Sequence, residues 1–157
     1  MDNDLIKKYK AEMLNMSRRA IKTQSTAENN SSGELIVMVT AIRSLYPIKN
    51  ARITVFKGDS QNKAVITTAI TNESGRTERI ILPAPDKKFS ETAGSDTIPY
   101  ALYNLLVEAD GYIDNIHLNI PIFSGVTSIQ RVNLLLNESG GETPPPQIFD
   151  EFEKYEL

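Results

Sequence analysis

Apolar residues follow two rhythms along this chain. From Asn3 to Gln24 they return every three or four positions, at Leu5, Ile6, Tyr9, Met13, Met16 and Ala20, with charge between them. That spacing lines one face of an α-helix. Asn3 is placed to cap the first turn, and Asp4 to sit against its positive end. From Glu34 onward the rhythm shortens to two. Ala51, Ile53 and Val55 alternate with Arg52, Thr54 and Phe56; Val132, Leu134 and Leu136 alternate less cleanly with Arg131, Asn133 and Leu135. Half-buried strands read this way. β-Branched runs bounded by turn residues predict strands over about 34–42, 50–57, 63–72, 76–82, 102–109, 112–120 and 128–136. Turn chemistry separates them at Asn72-Glu73-Ser74-Gly75 and Asp110-Gly111. With no helical rhythm between the strands, the expected architecture is a mainly β, antiparallel sandwich of seven or eight strands.

Four segments follow. Residues 1–24 form an amphipathic helix, and 25–33 a polar linker too poor in apolar residues to order itself. Residues 34–137 form the β-domain, and 138–157 a proline-rich acidic tail. Inside the domain, the stretch from Pro83 to Pro99 is long for a connection and carries three prolines. In the tail, Pro144-Pro145-Pro146 favours an extended spacer, beyond which Ile148, Phe152 and Tyr155 fall at helical spacing. Such a tail is solvated, a short linear motif, or a strap that docks on the sandwich or on the basic helix.

Composition narrows the function. The 157 residues carry a net charge of −3, which argues against a nucleic-acid partner, since that needs a basic surface. There are no cysteines, so disulfides and thiolate chemistry are excluded. Neither a secretory signal nor a membrane-spanning run is legible, so a cytoplasmic location is expected and a membrane partner is not. One histidine, His117, lies in a predicted strand. No nucleophile elbow, phosphate loop or metal-ligand spacing accompanies it. The expectation is a chain that is not an enzyme and that has no catalytic, cofactor or metal site. Tyr100, Tyr103, Tyr112 and Phe123 cluster around the long stretch and are the candidate binding surface; Leu5, Tyr9, Met13 and Met16 are the candidate docking face of the helix.

Three motifs carry a resemblance. Pro47-Ile48-Lys49-Asn50-Ala51-Arg52-Ile53-Thr54-Val55, Thr71-Asn72-Glu73-Ser74-Gly75-Arg76-Thr77 and the run from Tyr103 to Tyr112 appear in that order. Together they resemble carboxypeptidase regulatory-like domains, whose fold is a transthyretin-like, immunoglobulin-like sandwich. Leu82-Pro83-Ala84-Pro85, Pro99-Tyr100-Ala101-Leu102-Tyr103-Asn104 and Ile122-Phe123-Ser124-Gly125-Val126-Thr127 are similar to the sandwich segment of clostridial spore cortex-lytic and peptidoglycan-binding proteins. That likeness implies a binding module for protein or a peptidoglycan-type glycan, in a spore or envelope setting. Hydroxyisourate hydrolases of the same fold need several histidines. Adhesin repeats with a self-made Lys–Asn crosslink need a lysine in the first strand, and none lies between Gly33 and Ile48.

Beside the binding module stand an assembly component that dimerises through its helix and, last, a hydrolase using His117. The assembly reading predicts that the full chain is a dimer by light scattering and that a chain starting at Ser32 is a monomer.

Overall fold

The computed structural model of the chain describes residues 31–59, 61–86 and 99–152. The helix expected over 1–24, with Leu5, Tyr9, Met13 and Met16, lies outside the described residues, as do 25–30 of the expected linker and the middle of the 83–99 stretch. Among the described residues no helix is long and apolar enough to cross a membrane.

The elements are β1 (Ser32–Ala41), β2 (Tyr46–Pro47), β3 (Arg52–Lys57), β4 (Ala64–Ile70), β5 (Ile80–Pro83), β6 (Ala101–Glu108), β7 (Asn115–Ile122), β8 (Thr127–Leu134) and β9 (Gln147–Asp150). In the first sheet β1 bonds β8 along one edge and β5 and β2 along the other. The second sheet has the order β4-β3-β6-β7-β9. The period-two alternation sends Leu35, Val37, Val39 and Ala41 of β1 inward against Ile53 and Val55 of β3 and Tyr103, Leu105 and Val107 of β6. Each such valine or leucine stabilises the fold by about 1.5–3 kcal/mol through burial. The protein is a β-sandwich.

Two features depart from the sequence reading. The β1–β8 and β7–β9 pairings are parallel, while the other five are antiparallel. The first parallel pair arises because a tight turn after β7, closed by Val126 N–H on Phe123 O, carries the chain from one sheet to the other. The second arises because 147–150, read from sequence as part of the tail, add to the edge of β7 as a strand and not as a helical turn. The strand expected from 76 also begins late: Arg76 makes a single bridge to Met38, and β5 starts at Ile80.

The segment between β4 and β5 explains the Thr-Asn-x-x-Gly-x-Thr motif. Thr71 and Thr77 are both buried. Thr71 Oγ1 accepts from Ala51 N–H at 2.9 Å and donates to Ile48 O at 2.6 Å; Thr77 Oγ1 accepts from Val37 N–H at 3.0 Å. Hydroxyls thus stand in for backbone partners where strands part, matching the buried Ala51 N–H, Ile48 O and Val37 N–H. Gly75 has φ +73°, and a Cβ there would lie 2.5 Å from Val39 O, so the turn seats on β1 only as glycine. Gly33 is needed for close approach: its Cβ would lie 2.3 Å from Phe123 O.

Replacing the hydroxyl of Thr71 by a methyl keeps the shape and orphans two buried backbone groups. Thr71→Val should therefore lower unfolding free energy by about 2 kcal/mol, read from urea denaturation.

Candidate functional site

Each sheet has two edges, so the sandwich has two open sides. On one side stand β8 and β9, on the other β4 and β5. The two sides differ.

The β8–β9 side is sealed by polar side chains. His117 of β7 donates from Nδ1–H to Glu151 Oε1 at 2.6 Å, and Gln130 of β8 donates from Nε2 to the same oxygen at 3.2 Å. The Phe149 ring stacks on the imidazole at 5.0 Å between centroids, 16° from parallel. Asn115 of β7 donates from Nδ2 to Asn133 O at 3.3 Å. The chain just past β9 is thereby joined to both sheets. A carboxylate on Nδ1 is the orientation that a general-base histidine uses. Here both partners are buried, His117 4% and Glu151 5% exposed, so the pair acts as a clamp on the last strand.

A second polar knot sits at the irregular step between β6 and β7. Asn119 adopts φ 60°, a conformation asparagine tolerates better than most residues. Asn104 Oδ1 accepts from its N–H at 3.0 Å, Asn104 Nδ2 donates to Gly58 O at 3.1 Å, and Asn119 Nδ2 donates to the Asp150 carboxylate at 3.2 Å.

The four aromatic residues read as one surface are not together. Tyr103 is in the core, its hydroxyl donating to Pro83 O, so it has no face to offer a ligand. Tyr112 lies in the β6–β7 turn, bridged to Leu136. Tyr100 and Phe123 do meet, at 5.6 Å, and Phe152 joins them at 6.1 Å from Tyr100. Their planes are tilted by 59° and 44°, so the rings pack on one another and form no flat platform for a sugar.

The β4–β5 side is open. A groove of about 650 Å³ runs there, lined by β4 from Thr67 to Ile70 and by the segment from Arg76 to Ile81. At its walls Ile70 is 61% and Ile81 68% exposed, and farther along β4 Val65 is 61% exposed. β4 holds no charged residue. Among the described residues its outer edge pairs with no strand. Thr71 donates to Ala51 O and accepts from Asn50 N–H, so alternation turns the N–H and C=O of Thr68 and Ile70 outward. Arg76, Arg79 and Glu78 rim the far wall, with Arg79 3.6 Å from Glu34. Among the described residues no three histidine, aspartate or glutamate side chains converge to hold a metal.

Comparison with protein families and with characterised proteins returns no match. Among solved structures, the Bacillus anthracis TIE protein is similar with 15% identity and a TM-score of 0.42, over 72% of this chain and 20% of that one. GBS52, the minor pilin of Streptococcus agalactiae, is similar with 15% identity and a TM-score of 0.44, over 73% and 48%. Catechol 1,2-dioxygenase of Acinetobacter sp. ADP1 is similar with 14% identity and a TM-score of 0.44, over 77% and 59%. The chain thus spans from a fifth to three-fifths of the length of these proteins. Likenesses at this level concern strand arrangement alone. They correct one expectation, that the chain is not an enzyme: catechol 1,2-dioxygenases stand beside pilins among the structures of similar arrangement, so the architecture does not divide catalytic from non-catalytic chains.

Glu151, Gln130 and Phe149 were missed by sequence reasoning because they fell in an assumed tail and an unremarkable strand. The available signal was the tail's own extended lead-in: Pro144-Pro145-Pro146 directly precedes Gln147-Ile148-Phe149-Asp150. Removing the clamp should loosen the last strand. Glu151→Ala is expected to cost about 1–3 kcal/mol in urea unfolding, and hydrogen exchange of the 147–150 amides should rise well above that of β1.

Proposed function

We propose that the chain is a protein-binding module that takes up an extended segment of a partner along the outer edge of β4. The observation that carries this is the character of that edge: seven residues, AVITTAI, without charge, proline or covering strand among the described residues, beside a groove with apolar walls. Edge strands are normally blunted with charge or proline because bare ones pair with other chains. Here the outward N–H and C=O groups supply main-chain hydrogen bonds, and Ile70 and Ile81 supply apolar contact for alternate side chains. The motif resemblance to carboxypeptidase regulatory-like domains and to the sandwich of clostridial spore proteins supports the same class of role, a domain that holds a partner in a spore or envelope setting.

The test is a random-peptide display selection against the full chain and against Thr68→Pro. Proline at Thr68 removes an outward N–H and leaves the bonds to β3 in place, so the fold should lose less than about 1 kcal/mol. Selected peptides should alternate apolar residues and bind Thr68→Pro at least about tenfold more weakly, a loss of about 1.4 kcal/mol. Peptides that bind both proteins equally would overturn the reading. A second copy as the occupant would appear as a wild-type dimer that Thr68→Pro makes monomeric.

A further inference from the structure

Lys57 ends β3 on the inward-facing side, two residues past Val55 and four past Ile53 in the alternation that builds the core. Its Nζ lies 4.4 Å from the centroid of the Tyr103 ring, and Tyr103 is itself a core residue. A ring face attracts a cation weakly and replaces little of the water that an ammonium loses. The lysine is half-buried, so it is withdrawn from solvent and still reachable from it.

Among the described residues no carboxylate pairs with Lys57. The group facing it from β6 is Tyr103, a phenol that burial holds neutral by raising its pKa, with its proton on Pro83 O. From the lead-in to β4, Lys63 covers the neighbouring Phe56 ring at 4.8 Å. Asp59, two residues on, turns a carboxylate oxygen to the N–H groups of Gln61 and Asn62. Desolvation accordingly lowers the Lys57 pKa to about 8.

We propose that Lys57 is an acylation site, a nucleophilic amine that takes small acyl groups from uncharged thioesters. In the step, the neutral amine attacks the carbonyl carbon and the N–C bond forms. The C–S bond breaks, and the departing thiolate takes up the proton that nitrogen releases. The products are an amide and a thiol, with no change of oxidation state. Two physical reasons single out this lysine. Its amine is neutral far more often than a solvated one, and the amide carries no charge, so the reaction removes a cation from a site that disfavours it. An uncharged donor is specified because the same desolvation opposes a charged one.

The experiment treats the intact folded chain with the acetyl thioester of N-acetylcysteamine and follows each lysine by peptide mass spectrometry from pH 6.5 to 10. Lys49 and Lys63 serve as internal references. At pH 7 the neutral fraction of an amine with pKa 8 exceeds that of an ordinary lysine by about two orders of magnitude, partly offset by weaker intrinsic nucleophilicity. Lys57 should therefore react at least about tenfold faster than either reference at pH 7, and its rate should level off above about pH 8.5. A smaller ratio at pH 7, a Lys57 rate still climbing between about pH 9 and 10, or no reaction in the folded chain would each overturn the proposal.

Discussion

All strands of the first sheet reach one another through β1. It bonds β8 from Glu34 to Ala41 along one edge, then β5 and β2 in succession along the other. Its inward side chains, Leu35, Val37 and Val39, are fully buried against the second sheet. The polar devices nearby exist to let β1 hold this position. Thr77 bonds Val37, Gly75 O accepts from Val39 N–H, and Gly33 lets the strand's start press against the end of β7. A strand with partners on both edges and a buried face leaves little backbone to solvate, which is why its surroundings tolerate so little change.

The two open sides show how the same problem can be met in opposite ways. Where β8 and β9 face each other, hydrogen bonds among His117, Glu151 and Gln130 close the gap. Where β4 and β5 face each other, exposed isoleucines remain, and among the described residues no strand pairs with the outer edge of β4. A fold under pressure only for solubility would have treated both sides alike. The asymmetry is the reason to look for a partner on the β4 side.

Much of the sandwich was legible because alternation is a local property. Ile53 and Val55, or Leu105 and Val107, declare their face within a few residues, and Asn72 to Gly75 declare their turn. The motif threonines were visible as a resemblance, though their role as substitutes for backbone partners was not, since it depends on Ile48, Ala51 and Val37. Parallel pairings were not legible, because nothing in a strand's own residues records which way its neighbour runs. The candidate surface fared unevenly for the same reason. Tyr100 and Phe123 lie together and Tyr103 lies in the core, while Phe152 and Glu151 depended on β9, which needs β7 to exist. The edge of β4 escaped notice because an uncharged strand looks alike whether buried or bare.

The parallel β1–β8 pair also bears on how the chain comes to be folded. Thr127 and Glu34 sit side by side but lie 93 residues apart in sequence. A ribosome delivering residues in order makes β1 long before β8 exists. Until then one whole edge of β1 is unpaired, with Leu35, Val37 and Val39 awaiting the far sheet. Contacts this distant along the chain form slowly, and the unfinished species exposes a sticky strand meanwhile. The early-made half of this protein thus keeps an open, sticky edge until the turn after β7 brings β8 alongside β1.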